Sequence, residues 1–347
     1  MSTPSYAVAG LVLSPSPVSS SQVRDLQTDL RSLGYAKGPI DGVFGPGTGN
    51  AVKALQFDLM NNDGSSSSGD GGAPVAVKNY NNGTVTSLTG IVDQGLAACI
   101  AAMLADSAFP RLPSSANPAA DNQSAIAAVT SMASPPVPIP FLMAILTQES
   151  ALMHFQVPSA ANSDNCVTIG LDRNDKANPA AITSRGFGIG QYTLFHHPPT
   201  AEEVAGVIAD PKKNVQRAVS DLSDKFNNYV NGATPNTQAS DRIAEVGTGA
   251  LRTCQYQPSD SRYMSDCANC LANATLFNIT SGVTPVHAGS SVTYAQTQYH
   301  TGSYQNVPVR ANIPCDWPYA VRRYNGGGVN SYDYQAEVLL RVLSPHN

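Results

Sequence analysis

Residues 61–72 read Asn-Asn-Asp-Gly-Ser-Ser-Ser-Ser-Gly-Asp-Gly-Gly, twelve positions without one apolar side chain. No helix or strand can bury a face made of such residues. Whatever lies before and after this run must find its own core. The composition is that of a flexible linker with a reach of about 20 Å. The expected organisation is a module at 1–60, a linker at 61–84 and a larger body at 85–347. A chain of 347 residues suits such a division into two domains.

Composition narrows the class of partner. Hydrophobic residues are 42%, which supplies a sizeable core, and charged residues are 13%, about half the usual 25%. The net charge is −5. That balance speaks against binding to a nucleic-acid phosphate backbone, which needs a basic surface. No apolar run approaches the roughly 18 residues that span a bilayer. The apolar stretch Ala7 to Leu13 is short, and the first basic residue is Arg24. A secretory signal has a basic start, so none is read here. The even set of cysteines, Cys99, Cys166, Cys254, Cys267, Cys270 and Cys315, points instead to disulfides and an oxidising compartment.

Apolar periodicity predicts a mainly α protein. Val23, Leu26, Leu30 and Leu33 share a helix face, with Ser21 as its N-cap and Gly34 as its stop. Thr48 is placed to cap a second helix with Ala51, Val52, Leu55 and Leu59 inward. Further helices are expected over 90–104, 124–132, 140–153, 211–230 and 333–343. Between the last two, 232–315 is rich in Asn, Thr, Ser, Gly and Tyr and holds four of the six cysteines. It reads as an irregular insertion. Cys267-Ala268-Asn269-Cys270, with Cys254 and Cys315, reads first as disulfides and second as a four-cysteine zinc site.

One carboxylate stands out. Between Asp121 and Asp164 the only acidic residue is Glu149. Leu142, Ile145, Leu146 and Met153 lie seven, four and three residues before it and four after, which puts it on the apolar face of its helix. Partial desolvation there raises a carboxyl pKa toward neutrality, the condition for a general acid. Further on, Ser184-Arg185-Gly186-Phe187-Gly188-Ile189-Gly190-Gln191-Tyr192 places glycines where backbone can approach a ligand. No Gly-Lys-Ser/Thr follows, so it is not a phosphate loop. His196-His197 is adjacent in sequence and unlike a metal site.

These segments form an ordered set. Glu149-Ser150, the Gly186–Gln191 stretch, Asp210-Pro211-Lys212-Lys213-Asn214-Val215, Tyr324-Asn325-Gly326-Gly327, and Tyr334 followed by Val338-Leu339 occur in that order. Together they resemble the soluble lytic transglycosylase family, related to goose-type lysozymes, over about 136–230 and 316–343. The resemblance implies an α-helical, lysozyme-like fold that cleaves the β-1,4 bond between N-acetylmuramic acid and N-acetylglucosamine. It implies Glu149 as the catalytic acid and then base. It implies Gly188, Gln191, Tyr192, Tyr324 and Asn325 at the substrate groove with Ser150 in support, and Asn214, with Asn325 again, in the scaffold. The sequence departs from the family where Gly190 and Arg323 stand. No cofactor and no metal are implied.

The first module resembles the peptidoglycan-binding domain 1 family. The residues are Leu26-Gln27, Leu33-Gly34-Tyr35, Gly38 through Gly45, Thr48, Ala51-Val52 and Gln56. That implies a small three-helix module, with Tyr35 and Asp41 as candidate wall contacts. A binding module on a flexible tether raises the local substrate concentration for its partner.

A glycosidase ordinarily uses two carboxylates. Asp164, Asp172 and Asp175 are the nearest in sequence after Glu149. A lytic transglycosylase needs no second one, because the muramoyl 6-hydroxyl closes onto C1. The expected activity is therefore release of 1,6-anhydro-muropeptides, with a hydrolytic muramidase or an inactive wall-binding protein as alternatives. The expected place of action is the bacterial periplasm or cell wall. Delivery is expected as a phage endolysin or as an injected antibacterial effector, the latter with a secretion apparatus and an immunity protein as partners. A monomer is expected.

Overall fold

The computed structural model describes residues 4–65, 72–132, 136–230, 251–272, 286–287, 304–305, 313–326 and 330–343. The protein is mainly α, as its periodicity predicts. The chain forms two compact units, Met1–Ile126 with Leu152–Val215, and Ala127–Ala151 with Gln216–Asn347. No helix among the described residues is long and apolar enough to cross a membrane.

The first unit begins with α1, Ser21–Ser32. Its cap is Ser20 rather than Ser21: the Ser20 side chain accepts from the Val23 N–H, satisfying one of the orphan donors of the first turn. The helix stops where Gly34 takes φ +83° and the Tyr35 N–H donates back to the Leu30 carbonyl at 2.8 Å. Glycine is favoured there because a β-carbon disfavours that backbone region. Helix α2, Pro46–Asn61, starts on Gly45 and Pro46, the fixed φ of proline suiting a first helical position. Thr48 thus lies inside the helix, where its hydroxyl accepts from Gln27 Nε2 at 3.2 Å. Residues 19–59 contain these two helices. The expected third helix of the module is replaced by a single 3-10 turn farther on, Val77–Tyr80, packed on α2.

The Ser/Gly run does not end this unit. Its stretch 66–71 lies outside the described residues, but Val77 and Val85 beyond it are buried in one core with Leu26, Leu55 and Phe187. Helix α3, Gln94–Ala105, is capped by Asp93. Gly90, expected inside that helix, lies before it at φ +69°. Helix α4, Pro118–Thr130, starts on proline, six residues earlier than apolar spacing indicates. A three-stranded antiparallel sheet follows, β1 (Ile169–Asp172), β2 (Ser184–Phe187) and β3 (Tyr192–Phe195), in the order β1-β2-β3. The register pairs Gly170 with Gly186 and Gly186 with Thr193. Helix α6, Ala201–Glu203, opens with a capping box between Thr200 and Glu203 and runs into a π-helical turn, Val204–Ile208.

Two buried ion pairs hold this unit. Arg31 meets Asp164 at 2.9 Å with both side chains 2% exposed or less. Arg185, fully buried, meets Asp58 at 3.0 Å.

The second unit is built on α5, Ile139–Ser150. Phe141, Leu142, Ile145 and Leu146 are completely buried. They make one face of a helix that packs against α9, Trp317–Tyr324, and α10, Asn330–Leu343. Helix α5 ends three residues short of Met153. Ala151 and Leu152 adopt φ +53° and +63° in succession, a left-handed pair that disfavours any side chain and turns the chain sharply. Helix α7, Pro211–Asp224, continues as a π-helical segment, Lys225–Val230. There Phe226 stacks on Trp317 with centroids 3.9 Å apart. A short helix α8, Cys267–Ala272, packs on α5 and α10. Of the expected insertion, 232–250, 273–285, 288–303 and 306–312 lie outside the described residues. What is described includes a short antiparallel pair, Val286–His287 with Tyr304–Gln305.

Candidate functional site

In the second unit, the last turn of α5 presents Glu149, half-buried. Its Oε1 accepts a hydrogen bond from the Tyr334 hydroxyl of α10 at 2.6 Å. Tyr334 is 8% exposed. Burial and the facing carboxylate push its phenol well above the ordinary value of 10, so it stays a donor throughout the accessible pH range. Tyr324, at the end of α9, is held up for the same two reasons, burial first and Glu149 second, with Asp221 adding to the effect and Arg217 opposing it. Arg217 Nε pairs with Asp221 Oδ1 at 2.8 Å one turn apart on α7. A carboxyl group, two protonated phenols and an Arg–Asp pair therefore gather around one helix end. Such a group can pass a proton to an oxygen and take one back.

Of the residues the sequence predicts for the site, Tyr324 joins Glu149 here. Ser150 does not face outward: it is buried, and its hydroxyl donates to the Leu146 carbonyl at 3.0 Å. It braces the helix end. Asn325 is exposed and caps α9. Tyr334, Arg217 and Asp221 were not singled out as site residues. For Tyr334 the signal is present, since it heads the apolar stripe of α10 four residues before Val338. For Arg217 and Asp221 no signal distinguishes an ordinary i,i+4 surface pair from one beside a phenol.

The glycine-rich segment belongs to the first unit. Gly188–Gly190 is the turn of the β2–β3 hairpin. Gly188 has φ +73°, and a β-carbon there would lie 2.6 Å from the His154 ring and 2.8 Å from Asn214. Two side chains clamp this turn. Asn214 accepts from the Gly190 N–H at 2.8 Å and donates to the Phe187 carbonyl at 3.0 Å. His154 lies 2.9 Å from the Ile208 carbonyl through Nε2 and accepts from the Ile189 N–H through Nδ1 at 3.3 Å, which fixes the Nε2–H tautomer. Gln191, at φ +51°, folds its amide back to the Gly188 carbonyl at 2.8 Å. Its Oε1 lies 2.6 Å from where β-carbons on Gly170 and Gly186 would stand, so those glycines make room for it. Tyr192 is buried, with its hydroxyl 3.5 Å from Glu203. It is core rather than groove.

His154 is completely buried, and burial drives its pKa down to about 4. The native state therefore keeps it neutral while the unfolded chain protonates near pH 6.5. Stability linked to His154 is complete above pH 6.5 and is lost as the pH falls toward 4, because the unfolded state then binds more protons. Between pH 7.5 and 4.5 the expected loss from this residue is about 2–3 kcal/mol. Urea unfolding at both pH values tests this. In His154→Gln the difference between the two pH values shrinks by that amount. Equal differences in the two proteins would remove His154 from the balance.

Burial removes Tyr35 and Asp164 from the expected sites, and local hydrogen bonds engage Asp41, Asp172 and Asp175. Tyr35 is fully buried, donates to Asp58 at 2.7 Å and lies under Arg185, 5.3 Å from its ring centre. A side chain with no exposed surface cannot touch the wall, so Tyr35 is scaffold. Asp41 accepts from Gln27 Nε2 at 2.9 Å and from the Val43 N–H at 2.8 Å, which shapes the turn. Asp164 is consumed by Arg31 and is no second carboxylate. Asp172 is tied to the Ser184 hydroxyl at 2.8 Å and Asp175 to the 177–178 backbone. His197 Nδ1 lies 2.6 Å from the Pro198 carbonyl. All six cysteines are unpaired thiols.

Residues 19–59 match a protein-family model described as "Putative peptidoglycan binding domain". No curated protein and no solved structure matches the chain.

Proposed function

We propose that this chain is a peptidoglycan-cleaving enzyme that binds the wall through residues 19–59 and cuts the glycan strand with Glu149. The observation that carries the reading is the half-buried Glu149 carboxyl held by the buried Tyr334 phenol at 2.6 Å, on a chain that also carries a peptidoglycan-binding module. Glu149 gives its proton to the glycosidic oxygen as the C1–O bond breaks, leaving N-acetylglucosamine with a free 4-hydroxyl. The resulting carboxylate then takes the proton of the muramoyl 6-hydroxyl, whose oxygen bonds to C1. The product is a 1,6-anhydro sugar, the carboxyl is restored, and no water is consumed. One carboxyl serves both steps, so no partner at the spacing of a two-carboxylate glycosidase is required.

Tyr334 is a positioning residue. Its O–H bond fixes the plane of the Glu149 carboxyl. Tyr334→Phe is expected to lower kcat about 10-fold with KM and urea stability little changed. A loss of packing would instead show as a matching loss of stability.

The test of the function is mass spectrometry of material released from purified peptidoglycan. Anhydro-muropeptides support the reading. Reducing muramic acid ends would replace it with a hydrolase, and Asp221, whose charge also acts on Tyr324, would then be the first candidate second carboxylate to remove. Wall binding without any released product would make the chain a binding protein only.

A further inference from the structure

Four cysteines of the second unit have no part in that chemistry. Cys254, Cys267, Cys270 and Cys315 come from three separate stretches of chain, yet all four line one cavity, walled by Phe141, Leu271 and Trp317. The void is ≈ 10 Å³, the space of a single small occupant. Cys267 and Cys270 reach it from consecutive turns of one helix face.

The four sulfurs surround this one void as unpaired thiols, whereas two disulfides would sort them into two close couples. Donors also converge on them. The Met264 N–H points at Cys254 Sγ at 3.5 Å, and Gln255 Nε2 lies 2.7 Å from Cys270 Sγ. N–H groups aimed at sulfur stabilise a charged thiolate and are the usual outer support of metal-bound cysteine.

As thiols, the four ring the void without closing on it: among the described residues no group of three or more His, Cys, Asp or Glu is gathered as ready ligands. Four thiolates alone would repel one another. A divalent soft cation removes that repulsion, displaces the thiol protons into solvent and draws the sulfurs in to about 2.3 Å, with no change of oxidation state. The surrounding chain gains from such a clamp. Over 251–272 the only helix is α8, six residues long, and an element so short is fixed by tertiary contacts rather than by its own hydrogen bonds.

We propose that Cys254, Cys267, Cys270 and Cys315 form a structural four-thiolate zinc site that fastens 251–272 and 313–317 to α5 and α9. The inference is independent of the glycan-cleaving reading.

The experiment is metal analysis of the full chain purified without chelator, beside a cobalt titration of the same chain after acid stripping under reducing conditions. About one zinc per chain is expected, with the strong visible bands and the sulfur-to-cobalt charge transfer of a tetrahedral thiolate site. Zinc content falls to about a tenth or less in Cys267→Ser/Cys270→Ser and is unchanged in Cys99→Ser. The cobalt spectrum of the unsubstituted chain keeps the test decisive where the double variant does not fold. Absence of both zinc and cobalt bands overturns the proposal. An intact mass lowered by the four hydrogens of two disulfides would then return these cysteines to covalent pairing.

Discussion

Glu149→Gln is expected to lower the rate of muropeptide release by about 10³-fold, within the range that general acid–base groups contribute, while binding to insoluble peptidoglycan stays at the level of the unsubstituted chain. Glutamine keeps the shape of the side chain and an oxygen for the Tyr334 hydroxyl, so the packing of α5 against α10 survives. It has no proton to give a glycosidic oxygen. In the proposed reaction one group serves as acid and then as base, so both steps are expected to fail together with no partial reaction accumulating. Release rates from purified walls, with pull-down on the same material, provide the measurement. Activity within about 10-fold of the original would move the acid to another residue. Loss of wall binding as well would signal misfolding rather than lost chemistry.

The second large effect lies far from any chemistry. Arg31→Met is expected to cost about 3–5 kcal/mol of stability, because it leaves the Asp164 carboxylate buried without its cation. Asp164 is 2% exposed, so water cannot replace the lost partner. Asp164→Leu alone is expected to cost a similar amount for the converse reason. The double variant is expected to recover much of the loss, since a buried pair replaced by apolar groups is often close to neutral. Recovery will be incomplete, because Arg31 also donates to the Ala36 carbonyl at 2.7 Å and Asp164 accepts from the Cys166 N–H at 2.9 Å. Urea unfolding of the four proteins measures this as a double-mutant cycle. Strictly additive losses would show that the pair contributes nothing as a pair.

These cases show what the sequence makes legible. The helices came through because apolar spacing is local: Val23, Leu26 and Leu30 must share a side of any helix, and all are buried. Glu149 was legible for the same reason, as a lone carboxylate among Leu142, Ile145 and Leu146. The sheet was not. Strands of four residues carry too few alternations, although Tyr192 and Leu194 inward with Thr193 and Phe195 outward follow the rule. The glycines at 186 and 188 suggested a ligand, whereas they accommodate Gln191, His154 and Asn214. Partners distant in sequence were invisible. Nothing around Arg31 indicates Asp164, and nothing around Tyr35 announces Arg185 above its ring. Cap positions differ by one residue at Ser20 and by three at Gly45, since Ser20 and Ser21 are equally good caps and only backbone geometry chooses between them.

The hydrogen bond between Glu149 and Tyr334 joins residues 185 positions apart. At about 5–20 residues per second, the ribosome needs about 10–40 s after making Glu149 to supply the phenol that orients it. Residues 19–59 are finished far earlier. A nascent chain therefore carries the wall-recognition sequence long before it carries the phenol that holds Glu149. Under the proposed reading, order of synthesis alone leaves that carboxyl unpositioned until residue 334 has been made.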